Sequence, residues 1–131
     1  MEASKMQVDG THYTDMPMQP IELTYLIGGT PCFCKLAKYG SRIKHSDRTI
    51  DLNKAIHCIR LEQEFAAKNE NIFLKNYKLP NYDSYDTELA ITLINIFTSD
   101  HDLRHALIFM YIGEYEKAIV SVQKIISRVT V

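Results

Sequence analysis

The chain has 131 residues and a mass of 15.1 kDa, which suits one domain, or one domain with a short appendage. Its 46% hydrophobic and 24% charged residues are those of an ordinary globular protein that buries roughly 65–70% of its unfolded surface; the low Pro and Gly content excludes collagen-like repeats and wholesale disorder. A formal net charge of −1 by itself points to no nucleic-acid partner, and the longest apolar run, seven residues from Ala106 to Ile112, is far short of the roughly 20 that span a bilayer.

No basic region followed by an apolar stretch opens the chain, so no signal peptide is expected. The odd cysteine count (Cys32, Cys34 and Cys58) argues against a disulfide framework and for a reducing, cytoplasmic compartment. The three thiols are expected to behave as small buried hydrophobes.

Residues 1–11 lack an apolar period and read as a loose arm, with a single helical domain over 12–131. Pro20 suits a first helical turn, where its missing N–H costs nothing, and predicts a short helix over 20–27 stopped by Gly28-Gly29. Thr30 then caps a second helix, with Pro31 at its first position, expected to run to about Lys44. Phe33, Leu36, Ala37 and Gly40 form its apolar face.

A third helix is predicted over 49–68 with Thr49 as cap and Leu52, Ala55, Ile56, Ile59 and Ala66 buried. It makes an antiparallel hairpin with the second. Residues 69–83 break the period and read as a connector. Ser84 is expected to cap a fourth helix, 85–98. Ser99, with Asp102 three residues on, predicts a capping box opening a fifth near 100. Gly113 ends it, and an amphipathic sixth helix follows over 114–128, burying Tyr115, Ala118, Ile119, Val122, Ile125 and Ile126. Strand signals are weak throughout, so the expected fold is all-α, a small bundle of five to six helices built from helical hairpins. Residues 52–56 echo 115–119, as stacked hairpins or chance would produce.

Charge is unevenly spread. From Leu23 to Ser46 there is no Asp or Glu, while Lys35, Lys38, Arg42 and Lys44 fall there with His45 beside them. Lys35, Lys38 and Arg42 lie at i, i+3 and i+7, a stripe on one helix face. Such a segment in an otherwise acidic protein is a candidate anion site, unless acids from elsewhere in the fold neutralise it.

Several chemistries lack their residues. Neither a P-loop nor G-x-G-x-x-G is present. The paired Glu residues at 62/64 and 114/116 are two apart and diverge around a helix, unlike the E-x-x-E pairs that hold Mg²⁺. His101 and His105 share a face at i, i+4 with Asp102 between them, but no third metal ligand is evident, so no metal site is expected. Cys34 lies in basic surroundings near the apolar face, with no companion that marks it as a nucleophile.

His12-Tyr13, Pro20-Ile21-Glu22, the run Leu36-Ala37-Lys38-Tyr39-x-x-Arg42-x-Lys44, and Asp51-Leu52-x-Lys54-Ala55 together resemble a small phage domain family, mostly of unknown function. That family in turn resembles part of the nucleotide kinase of T-seven-like phages, which lacks a Walker motif and phosphorylates deoxynucleoside monophosphates. The likeness covers about residues 12–66. Where the family usually has Gly-Asn, this chain has Cys34-Lys35.

The resemblance implies a nucleotide-binding protein of the host bacterial cytoplasm. If it is an enzyme, it implies a nucleoside monophosphate kinase with ATP or another nucleoside triphosphate as donor. Phosphoryl transfer asks chiefly for positioning and charge neutralisation. Lys35, Lys38, Arg42, Lys44 and Lys54 are the candidate phosphate contacts. Tyr13 and Tyr39 are candidates to stack on a base, and His12, Arg42 and Asp51 to act at the reacting centre. The alternatives are a binder that sequesters a host or signalling nucleotide without turnover, and a phage protein that docks on an acidic host partner. Strong duplex binding needs many phosphate contacts and is not expected. The oily run Leu107–Ile112 must be buried in the bundle or at a subunit contact, so a homo-oligomer is expected.

Overall fold

A computed structural model describes residues 16–42, 48–68 and 84–130. Among them are six helices and no strand: α1 (Pro20–Ile27), α2 (Pro31–Gly40), α3 (Arg48–Lys68), α4 (Ser84–Phe97), α5 (His101–Tyr111) and α6 (Tyr115–Val129). The all-α expectation holds. No helix among the described residues is long and apolar enough to cross a membrane. The expected arm, the 69–83 connector, His12, Tyr13, Lys44 and His45 lie outside the described residues.

Local chemistry sets most boundaries. Pro20 opens α1 behind a capping box between Gln19 and Glu22. Gly28 closes it at φ 67°, a left-handed turn that only glycine adopts without cost. The Thr30 hydroxyl accepts the Phe33 N–H at 3.0 Å, with Pro31 at the first helical position. Gly113, at φ 82°, reverses the chain between α5 and α6.

Four expected boundaries move. α2 ends at Gly40 rather than near Lys44, because the Arg48 guanidinium donates to the carbonyls of Tyr39 (2.8 Å) and Gly40 (2.6 Å) and closes the helix there. Thr49 and Ser84 lie inside α3 and α4 instead of preceding them. The cap of α5 is Asp100, whose carboxylate accepts the Leu103 N–H at 3.0 Å. Ser99 is one residue too early for that geometry.

Residues from all six helices form one apolar core. Phe33, Leu36 and Ala37 of α2, Leu52, Ala55 and Ile59 of α3, and Ala118, Ile119, Val122 and Ile125 of α6 are buried as their spacing predicts. Ile56, Ala66, Tyr115 and Ile126 are only partly covered. The oily run is mostly absorbed within the chain: Leu107, Met110 and Tyr111 are buried, while Ile112 faces out.

Two antiparallel hairpins frame the core. In α2–α3, Arg42 meets Asp51 at one end and Thr30 meets Glu62 at the other. In α5–α6, Arg128 reaches back from the end of α6 to Asp100 and Asp102 at the start of α5. The echoed segments begin α3 and α6, and Ala55 and Ala118 are both fully buried. α1 lies against α2 and α4, and the Tyr111 hydroxyl donates to the Ile27 carbonyl at 2.9 Å, fixing the end of α1 to the body.

Candidate functional site

Gly28 and Gly29 turn the chain between two neighbouring helices, α1 and α2. The space between them is a groove of about 750 Å³, within the roughly 300–1,000 Å³ typical of small-molecule sites. One wall is α1, with Ile21 and Tyr25 one turn apart. The other is α2, with Pro31, Cys34, Lys35 and Lys38, and the Gly28-Gly29 backbone closes the end. Lys35 and Lys38 are the only charged residues in the described lining.

Lys35 and Lys38 of the basic stripe lie on α2, and Arg42 follows just beyond its end. Partial burial, followed by the neighbouring Arg42 and Lys35, holds the Lys38 ammonium below its ordinary value. A stripe that crowds its own cations this way has an electrostatic reason to accept an anion.

At the far end of the stripe Arg42 is engaged. Its Nη1 lies 3.6 Å from Oδ1 of Asp51, and the Asp51 side chain is 2% exposed. The Arg42 guanidinium also sits 5.4 Å from the Tyr39 ring centroid, and Lys54 Nζ lies 5.8 Å from the same ring. Arg42, Tyr39, Asp51 and Lys54 therefore form one cluster at the α2–α3 end, next to the groove that holds Lys35 and Lys38. The expected site is thus split: a groove with two lysines, and a polar cluster in which one of the protein's own acids already faces Arg42.

Sequence reasoning missed three residues here. Arg48 carries no family motif; its only signal is an arginine shortly after the Gly40-Ser41 stop, where cations cap helix ends. Tyr25 is 85% exposed on the groove wall, and its signal is the i, i+4 pairing with Ile21. Glu62 is 4% exposed and continues the buried Ala55–Ile59 face at helical spacing. Its carboxylate accepts from the Thr30 hydroxyl and from Tyr115, so it ties the starts of α2 and α6 to α3. Burial pushes its pKa up, and the two hydroxyls hold it back only in part.

The cysteines are free and half-buried rather than core residues. Burial and then Glu62 push the Cys32 thiol up to about 11, which leaves it protonated and inert at neutral pH. The His101 and His105 rings stand 4.2 Å apart, but Asp102 between them is held by Arg128 at 3.4 Å. No group of three His, Cys, Asp or Glu among the described residues is placed to hold a metal ion.

Comparison of the chain with protein-family models, curated proteins and solved structures found no match.

Proposed function

We propose that this chain is a nucleotide-binding protein that seats a nucleoside phosphate in the α1–α2 groove, with the phosphate on Lys35 and Lys38. One observation carries the reading: a groove of about 750 Å³ with apolar and aromatic walls has, as the only charges in its described lining, two lysines one helical turn apart. That is the division of labour a nucleotide needs, an apolar surface for the base and cations for the phosphate. The resemblance of residues 12–66 to a phage family points to the same ligand class, in a host cytoplasm.

A specific observation favours retention of one nucleotide over kinase activity. A kinase must neutralise the phosphates of donor and acceptor together, whereas the described lining offers two lysines as its only charges and Arg42 faces the buried Asp51. In the kinase reading, ATP or another nucleoside triphosphate is the donor, the ionised phosphate of the monophosphate is the acceptor, and further cations come from outside the described lining.

Thermal-shift titration with AMP tests binding: stabilisation should grow as RT ln(1 + [L]/Kd) and should be lost in Lys38→Ala. Incubation with ATP and each monophosphate then separates the two readings. Retention predicts no diphosphate, and diphosphate formed in proportion to protein establishes the kinase. Absence of saturable stabilisation by any nucleotide removes the proposal.

A further inference from the structure

We infer that Tyr25 is the platform on which the ligand's base stacks, so that the groove selects for a planar aromatic ring bearing a phosphate rather than for one particular base. The inference rests on the nucleotide reading above and names the residue and the mode of selection. Tyr25 is 85% exposed, so its ring adds almost nothing to the core. An exposed aromatic ring on the wall of an apolar groove offers a face on which a planar ligand can stack. Ile21, one turn earlier and 57% exposed, extends the same face.

Charge sets the orientation of the occupant. The cations are all on the α2 wall, at Lys35 and Lys38, and the aromatic ring is on the α1 wall opposite. A ligand that spans the groove therefore places its anion on α2 and its flat apolar part on α1.

Two polar side chains at the α1 wall, Thr24 and Gln19, are engaged in the helix itself. The Thr24 hydroxyl donates to the Pro20 carbonyl at 2.8 Å, and Gln19 belongs to the capping box with Glu22. The Tyr25 ring and Ile21 are the most exposed part of that wall, and a base laid on them is recognised by its ring face, whose stacking is sequence-tolerant. Purines, with the larger face, should bind more tightly than pyrimidines.

Calorimetric titration of the full chain with AMP, UMP and ribose 5-phosphate tests this, using the parent, Tyr25→Ala, Tyr25→Phe and Lys38→Ala. The expected order for the parent is AMP, then UMP, then ribose 5-phosphate. Tyr25→Ala should weaken AMP about tenfold or more and leave ribose 5-phosphate unchanged, whereas Tyr25→Phe should retain AMP binding. Lys38→Ala should weaken all three. AMP binding that Lys38→Ala abolishes and Tyr25→Ala leaves intact overturns the stacking role alone. No binding of any probe overturns the nucleotide reading and this inference with it.

Discussion

Arg42 illustrates how one side chain can satisfy a sequence pattern and still act within the fold. Its place in the stripe marks it as a phosphate ligand, but the carboxylate of Asp51 lies 3.6 Å away and is almost wholly buried. A buried carboxylate needs its cation more than a solvated phosphate does, because desolvation cost falls on whichever charge is left inside. Arg42→Ala is accordingly expected to destabilise the protein by about 2 kcal/mol, read by urea unfolding. Lys35→Ala, at an exposed lysine, should change stability by less than about 0.5 kcal/mol. Equal stabilities for the two variants would show that Arg42 contributes nothing to the fold and is available to a ligand.

At the scale of elements, the two ends of α1 and the start of α2 were the most legible features. Pro20, Thr30-Pro31 and Gly28 act through contacts within a few residues, so sequence spacing contains the whole cause. The end of α2 was not legible, because the group that closes it, Arg48, arrives from the next helix. The groove was hidden for the same reason: Lys35 and Lys38 could be read as a stripe, but their opposite wall exists only once α1 folds against α2. The split of the candidate site has a similar origin, since helical spacing put Asp51 at the start of α3 and gave no sign that its carboxylate turns inward to Arg42.

Gly40 offers a test of the α2–α5 contact. A Cβ added there would run into the Leu103 side chain, itself fully buried. Gly40→Ala should gain helix propensity of about 1 kcal/mol but lose more to overpacking, typically about 1–3 kcal/mol, for a net loss of stability. In the Leu103→Ala background the added methyl group fills vacated space, so the same Gly40→Ala change should become stabilising. A double-mutant cycle with that change of sign locates the contact. Purely additive effects would place Gly40 away from Leu103.

At the scale of the whole molecule, two carboxyls among the described residues, Glu62 and Asp100, are shifted in opposite directions. Glu62 joins α3 to the starts of α2 and α6, facing the Thr30 and Tyr115 hydroxyls and near the Cys32 thiol. Its folded pKa lies above the ordinary 4.5 because burial disfavours the charged form. The folded state therefore holds that proton more tightly than the unfolded state does. The stability this supplies is complete below the ordinary value and is lost as pH rises through the folded value, with a slope of at most about 1.4 kcal/mol per pH unit.

Asp100, at the opposite clasp of α5 and α6, behaves the other way. Burial pushes its carboxyl up, but the Leu103 N–H and the Arg128 guanidinium outweigh it and bring the value below the ordinary 3.8. Its contribution is present above that ordinary value and is lost as pH falls through the depressed one. Urea unfolding from about pH 3 to about pH 8 separates the two. Glu62→Gln, which keeps an oxygen to accept from both hydroxyls, should flatten the loss on the rising side and leave the acid side as it was. Arg128→Ala should shrink the acid-side loss and leave the rising side untouched, because Arg128 and Glu62 share no partner. If Glu62→Gln instead tracks the parent in parallel across the whole range, the junction of α2, α3 and α6 is hydrated and its carboxyl titrates as it would in water.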